Sequence, residues 1–217
     1  MPKYDIVLFD FDGTVADTDP MIIATMNFLY DKYRGGRRTP VEEIYYFSGP
    51  PIKGTLKKEF PDLDQDFIYN EFAKESEKRY KDYVFLFPHV KETLLALKEN
   101  GVRIGLITNK IRHLTLLSLS LLGIGDVFES IVCFDDVVNP KPHPESMNRA
   151  IKELGGSNLS KVLYVGDNNS DYITARNANV DCALVMGGPR ALDPTLEPEI
   201  WFSSFEELER IILDGKI

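Results

Sequence analysis

An α/β fold, with a parallel sheet and a small all-helical module inserted after its first strand, is predicted by three observations. Short apolar runs recur along the chain, helical patterns separate them, and one stretch from Asp17 to about Asp82 has helical patterns with almost no strand-like run. The first run, Ile6-Val7-Leu8-Phe9 within Tyr4 to Phe9, shows no polar alternation and so predicts a strand buried on both faces. Comparable runs at Val102 to Thr108, Ser130 to Phe134, Lys161 to Val165 and Cys182 to Met186 bring the predicted sheet to five strands.

Between these runs, Val90 to Asn100, Lys110 to Leu122 and Glu145 to Leu154 are helix-like and are stopped by Gly101, Gly123 and Gly155. Ser170 to Ala178 forms a further helix. Strands alternating with helices indicate a parallel sheet covered on both faces. A last helix, Ser204 to Leu213, opens on a capping-box pattern of Ser203 with Glu206. In the module, Asp19-Pro20 starts a helix, Gly35-Gly36 interrupts, and Pro40, Pro50-Pro51 and Pro61 punctuate the later helices. The expected division is residues 1–16 and 83–217 for the α/β part and 17–82 for the helical module.

The chain of 217 residues is large enough for a substantial core, and its net charge of -9 opposes docking on nucleic acid or anionic lipid. The leucine-dense stretch Leu114 to Leu122 carries Ser118 and Ser120 and is too short for a membrane span. The start, Met1-Pro2-Lys3-Tyr4-Asp5, has no secretory pattern, which predicts a cytoplasmic protein. Cys133 and Cys182 lie inside strand-like runs and read as reduced, buried thiols. A monomer or a homodimer is compatible with all of this.

The chemistry is carried by residues at strand ends, where the ligands of doubly wound sheets collect. Asp10 ends the first run and Asp12 comes two residues later in Asp10-Phe11-Asp12-Gly13-Thr14. A carboxylate there can attack phosphorus, and a second can serve as acid and base. Thr108-Asn109 ends the second run and opens a helix, where a hydroxyl and free N–H groups can hold a phosphoryl oxygen. Lys141, fixed between Pro140 and Pro142, can offset negative charge in such a site. Asp167 and Asp171, in Gly166-Asp167-Asn168-Asn169-Ser170-Asp171, complete an acidic set that calls for a hard cation such as Mg²⁺. In the module, Gly49 to Thr55 combines a rigid Gly-Pro-Pro turn with Lys53 and is the candidate specificity loop. Arg34, Arg37 and Arg38 read as a solvated loop, and His89 and His113 as structural.

With these motifs in this order, the chain resembles the haloacid dehalogenase (HAD) superfamily over essentially its whole length. The resemblance implies a Rossmann-like core with a helical cap, and a phosphohydrolase acting on a small phosphorylated metabolite or pyrophosphate. By motif position Asp10 resembles the nucleophile, Asp12 the acid/base, Thr108 and Lys141 the phosphate holders, and Asp167 and Asp171 the magnesium pair. The Asp12 position also lends the family a backbone carbonyl as metal ligand. Asp12 argues against true dehalogenases. Within the superfamily the likeness is to the phosphoglycolate phosphatase group, and Phe47-Ser48-Gly49-Pro50-Pro51 with Asp135-Asp136-Val137 is similar to its bacterial pyrophosphatase branch. A β-phosphoglucomutase-like phosphomutase and a non-catalytic phosphate sensor or scaffold are the alternatives.

Overall fold

The computed structural model describes residues 2–215. Its strands are β1 (Ile6–Phe9), β2 (Ala16–Asp17), β3 (Phe85–Leu86), β4 (Arg103–Ile107), β5 (Ser130–Val132), β6 (Val162–Gly166), β7 (Asp181–Val185) and β8 (Ile200–Phe202). Its α-helices are α1 (Asp19–Tyr33), α2 (Val41–Ile44), α3 (Ile52–Glu59), α4 (Gln65–Glu77), α5 (Tyr80–Tyr83), α6 (Val90–Glu99), α7 (Arg112–Leu122), α8 (Glu145–Glu153), α9 (Asn169–Ala178) and α10 (Phe205–Asp214).

Six strands form a sheet in the order β5-β4-β1-β6-β7-β8, and every neighbouring pair is parallel. Side chains alternate across a strand, so β1 sends Ile6 and Leu8 to one face and Val7 and Phe9 to the other. Leu8 packs there with Met147, Ile151 and Leu184, while Phe9 lies against Phe205 with ring centroids 6.4 Å apart. This two-sided burial is the reason for the unbroken apolar run in the sequence. Gly105 lies beside Leu8 so closely that a Cβ would come within 2.6 Å of the leucine side chain.

The sheet has one strand more than expected. The additional one, β8, is a three-residue edge strand with Trp201 partly exposed, too short to display a period of its own. A two-stranded antiparallel ribbon, β2 with β3, was also not foreseen; it lies where the chain leaves the sheet for α1 and where it returns after α5. Between them, α1 to α5 pack on one another around Met26, Leu29, Tyr30, Ile68 and Phe72.

Two helix starts correct the sequence reading. The helix expected from Lys110 begins at Arg112, because the backbone N–H of Lys110 donates to the Thr108 hydroxyl at 3.1 Å in a turn ahead of it. The final capping box is shifted by one residue: Ser204 caps α10 by accepting from the Glu207 N–H, and Glu207 accepts from the Ser203 N–H at 2.7 Å. No helix among the described residues is long and apolar enough to cross a membrane. Cys133 and Cys182 are both free and buried.

Candidate active site

Strand order explains why distant residues meet. The chain runs outward from β1 through β4 to β5, then crosses to β6 on the other side of β1, so the switch point lies between β1 and β6. Asp10 leaves the tip of β1, Asp167 the tip of β6 and Thr108 the tip of β4, and the loop after β5 delivers Lys141. Side-chain oxygens of Asp10, Asp167 and Asp171 lie within 4.8 Å of one another, and all three residues are buried.

Lys141 ties this cluster together. Its Nζ donates to Asp10 Oδ1 at 2.7 Å, to Asp171 Oδ1 at 2.9 Å and to the Tyr164 hydroxyl at 2.8 Å, using all three ammonium hydrogens. Asp171 is fully engaged, because Tyr164 also donates to Oδ1 while Oδ2 accepts from the backbone N–H groups of Asp167 and Asn168 at 3.1 and 3.2 Å. These bonds depend on Gly166, where a Cβ would overlap the Asp171 carboxyl. Asp167 accepts from the Thr14 hydroxyl at 3.1 Å and faces Arg190 at 3.2 Å. Gly13, at φ +86°, permits that approach, since a Cβ there would lie 2.5 Å from both partners.

The second oxygen of Asp10, Oδ2, is buried without a hydrogen-bonding partner in the protein. Burial is the largest influence on Asp10 and pushes its carboxyl up to about 7, with Asp171 adding to the rise and Lys141 opposing it. Burial likewise holds Asp167 well above the usual carboxylate range despite Arg190. A set of three oxygen donors, under-neutralised and including an orphaned carboxylate oxygen, has the chemistry of a hard divalent cation site.

Asp12 turns its carboxylate away from this cluster to Lys110, whose Nζ lies 2.8 Å from Oδ1. Asn109 links two loops: its side-chain amide donates to the carbonyls of Gly49 at 2.9 Å and Lys141 at 3.2 Å, and its Oδ1 accepts from the Lys141 N–H at 3.1 Å. Above these residues is a cleft partly open to solvent. Asp10, Asp12, Thr108, Asn109 and Lys110 line it from the sheet side, and Gly49, Lys53, Tyr69 and Phe72 line it from the helical side.

Asp10, Lys141, Asp167 and Asp171 are thus in direct contact or close to it, with Asp12, Thr108 and Asn109 at the cleft. Gly49 touches the set through its carbonyl, whereas Lys53 is on the far wall with its ammonium 4.6 Å from the Tyr69 ring centroid. Arg34 pairs with Glu59 and Arg38 with Asp31, away from the cleft. His89 faces Glu206 and Glu209, and His113 faces Glu77.

Three polar residues of the site escaped the sequence reading. Tyr164 is part of an apolar strand run and looked like core. Arg190 sits in a Gly-Gly-Pro loop after β7, yet it is buried and grips Asp19 at 2.9 and 3.2 Å besides facing Asp167. Lys110 directly succeeds Thr108-Asn109, and that adjacency was the one available clue.

A model of the haloacid dehalogenase-like hydrolase family matches residues 7–185. The chain is 35% identical over 179 residues to pyrophosphatase PpaX of Oceanobacillus iheyensis, with 82% of each chain covered. It is 32% identical to pyrophosphatase PpaX of Halalkalibacterium halodurans over 215 residues, 97% of each. Its fold is similar to the crystal structure of a haloacid dehalogenase-like hydrolase from Bacteroides fragilis at a TM-score of 0.86 and 28% identity, covering 95% of this chain and all of that one.

Proposed function

The chain belongs to the haloacid dehalogenase-like hydrolase family and is a phosphatase, and we propose that it cleaves a small phosphomonoester or pyrophosphate through an aspartyl-phosphate on Asp10. The observation that carries this reading is the environment of Asp10. One of its oxygens is held at 2.7 Å by a buried lysine, and the other is buried and unpartnered at the edge of the cleft.

In this reading Asp10 attacks the phosphoryl group in line, and Asp12 protonates the departing oxygen and then takes a proton from the hydrolytic water. Thr108 and Asn109 hold phosphoryl oxygens, and Lys141 offsets the charge that gathers at Asp10. Asp10, Asp167 and the carbonyl of Asp12 would hold Mg²⁺, with Asp171 orienting the set, and the ion would supply charge neutralisation to the substrate phosphate. Residues 17–82 act as the cap, whose loop around Gly49 and Lys53 faces the leaving group and excludes water on closure. Pyrophosphate is favoured by the two relatives named as pyrophosphatases. The buried free thiols agree with a reducing, cytoplasmic setting.

The test is Asp10→Asn assayed with Mg²⁺ against pyrophosphate, phosphoglycolate and sugar phosphates. Turnover is expected to vanish while the thermal transition persists, and full activity after deamidation has been excluded by mass spectrometry sinks the reading. Conversion of β-glucose 1-phosphate to glucose 6-phosphate, in place of free phosphate, would identify a mutase.

A further inference from the structure

Lys110 is a buried cation for which the chemistry at Asp10 has no task. Its side chain is 9% exposed, and its ammonium lies 2.8 Å from Asp12, 5.1 Å from the Tyr80 ring centroid and 5.6 Å from that of Phe11. Burial is the largest single influence and works against its charge, but Asp12 and Tyr80 together outweigh it and keep its pKa above the ordinary lysine value.

Position decides what such a cation can do. Lys141 is committed to Asp10, Asp171 and Tyr164, so the lysines on the cleft wall among the described residues are Lys110 and Lys53. An acid/base partner must reach the departing oxygen, so an ammonium held against Asp12 is held beside the leaving group. Apolar side chains such as Met21, Ile22, Phe72 and Leu114 make up much of the remaining wall, and beside them a charge-assisted hydrogen bond is stronger than in water.

We propose that Lys110 is a specificity-determining residue whose ammonium binds the leaving group and selects one bearing its own negative charge, a phosphoryl group, so that diphosphates are preferred over esters of neutral alcohols. This deepens the preceding proposal and rests on it. When Asp10 bonds to one phosphorus of dihydrogen pyrophosphate, which carries one proton on each phosphorus, the bridging P–O bond breaks, its electron pair stays on the departing hydrogen phosphate, and the other proton stays on the aspartyl-phosphate. A proton from Asp12 converts that product to dihydrogen phosphate, which still carries a net negative charge, and Lys110 meets it. An alcohol ester differs at the same point: its bridging oxygen takes a proton from Asp12 and departs neutral. Lys110 gains nothing from that departure.

The experiment compares kcat/KM for pyrophosphate and phenyl phosphate in the wild type, Lys110→Met and Lys110→Arg, all with Mg²⁺. The ratio of the two values is expected to fall at least about tenfold in Lys110→Met, the loss of one charge-assisted hydrogen bond, and to recover largely in Lys110→Arg. A structural role alone lowers both substrates together, and an unchanged ratio overturns the proposal. A second measurement needs only the wild type: calorimetric binding of methylenediphosphonate should be at least about tenfold tighter than that of methylphosphonate, and equal affinities overturn the proposal even where Lys110→Met fails to fold. A wild type that hydrolyses neither substrate removes the Asp10 reading, and this inference with it. Hydrolysis of both with a fixed ratio removes this inference alone.

Discussion

The two walls of the cleft are built on opposite principles. On the sheet side, Asp10, Lys141 and Asp171 are almost wholly buried, and every hydrogen of the Lys141 ammonium has a partner within 2.9 Å. On the helical side, Phe47, Ile52, Tyr69 and Phe72 present ring and aliphatic surface, and Lys53 rests over an aromatic face. Polar geometry that is fully partnered resists change, because each loss leaves another buried group unsatisfied. Apolar surface with one loosely held cation tolerates replacement. The contrast assigns the unvarying chemistry to the strand tips, while the facing wall and Lys110 at the rim of the sheet side are left to sort leaving groups.

Removing the lysine at the centre of the rigid wall should break it most severely. In Lys141→Met two buried carboxylates, Asp10 and Asp171, lose their common cation, and breaking a buried pair from one side costs roughly 3–5 kcal/mol. Urea denaturation should register that loss together with a fall in kcat of more than about a thousandfold, as expected for a charge-stabilising residue. Retention of wild-type stability would contradict the central place given to Lys141.

Next in size is Gly166→Ala, where the added methyl group meets the Asp171 carboxyl. Overpacking of this kind costs about 1–3 kcal/mol, and the midpoint of urea unfolding should drop accordingly, while Gly54→Ala, with open space at its Cβ, serves as the neutral comparison.

The under-neutralised carboxylates predict an unusual pH dependence. Asp10 is raised from 3.8 to about 7 in the folded protein, so the folded state holds a proton that the unfolded state has released. Its contribution to stability is complete below the unfolded value and is lost as pH rises through about 7. In EDTA the Tm should therefore fall between about pH 4 and about pH 7, and Mg²⁺, by neutralising the same cluster, should remove most of that fall. A flat Tm in EDTA would show that the acidic set is already balanced without a cation.

The smallest effect belongs to the facing wall. Lys53→Ala should leave the Tm unchanged and raise KM less than about tenfold, the scale of one exposed charge contact. A loss of kcat comparable to that of Lys141→Met would erase the distinction between the walls.

Much of the sheet wall was legible in the sequence because its signals are local. A run such as Ile6-Val7-Leu8-Phe9 can be buried on both faces only in a covered sheet, and an acid at the end of that run has one place to go. The residues that were missed depend on tertiary direction. Tyr164 has the apolar neighbours of a core residue, and its hydroxyl finds Lys141 and Asp171 only after β6 is set beside β1. Arg190 reaches Asp19 and Asp167 from a glycine-rich loop whose path no period announces. The shift from Ser203 to Ser204 at the head of α10 has a simpler cause: two adjacent serines with two adjacent glutamates shortly after them permit either register, and the packing of Phe205 and Leu208 selects the later one.

Asn109 grasps Gly49 by its main-chain oxygen, an atom that every amino acid possesses. The grip itself is consequently indifferent to which side chains flank that anchor. Beyond Phe47, which packs on the core, and the buried Ser48, the turn can change, provided a left-handed residue remains at its apex, without loosening the loop that carries Lys141. A change of diet for this enzyme could begin with new side chains on one short segment, with no rebuilding of its reactive floor.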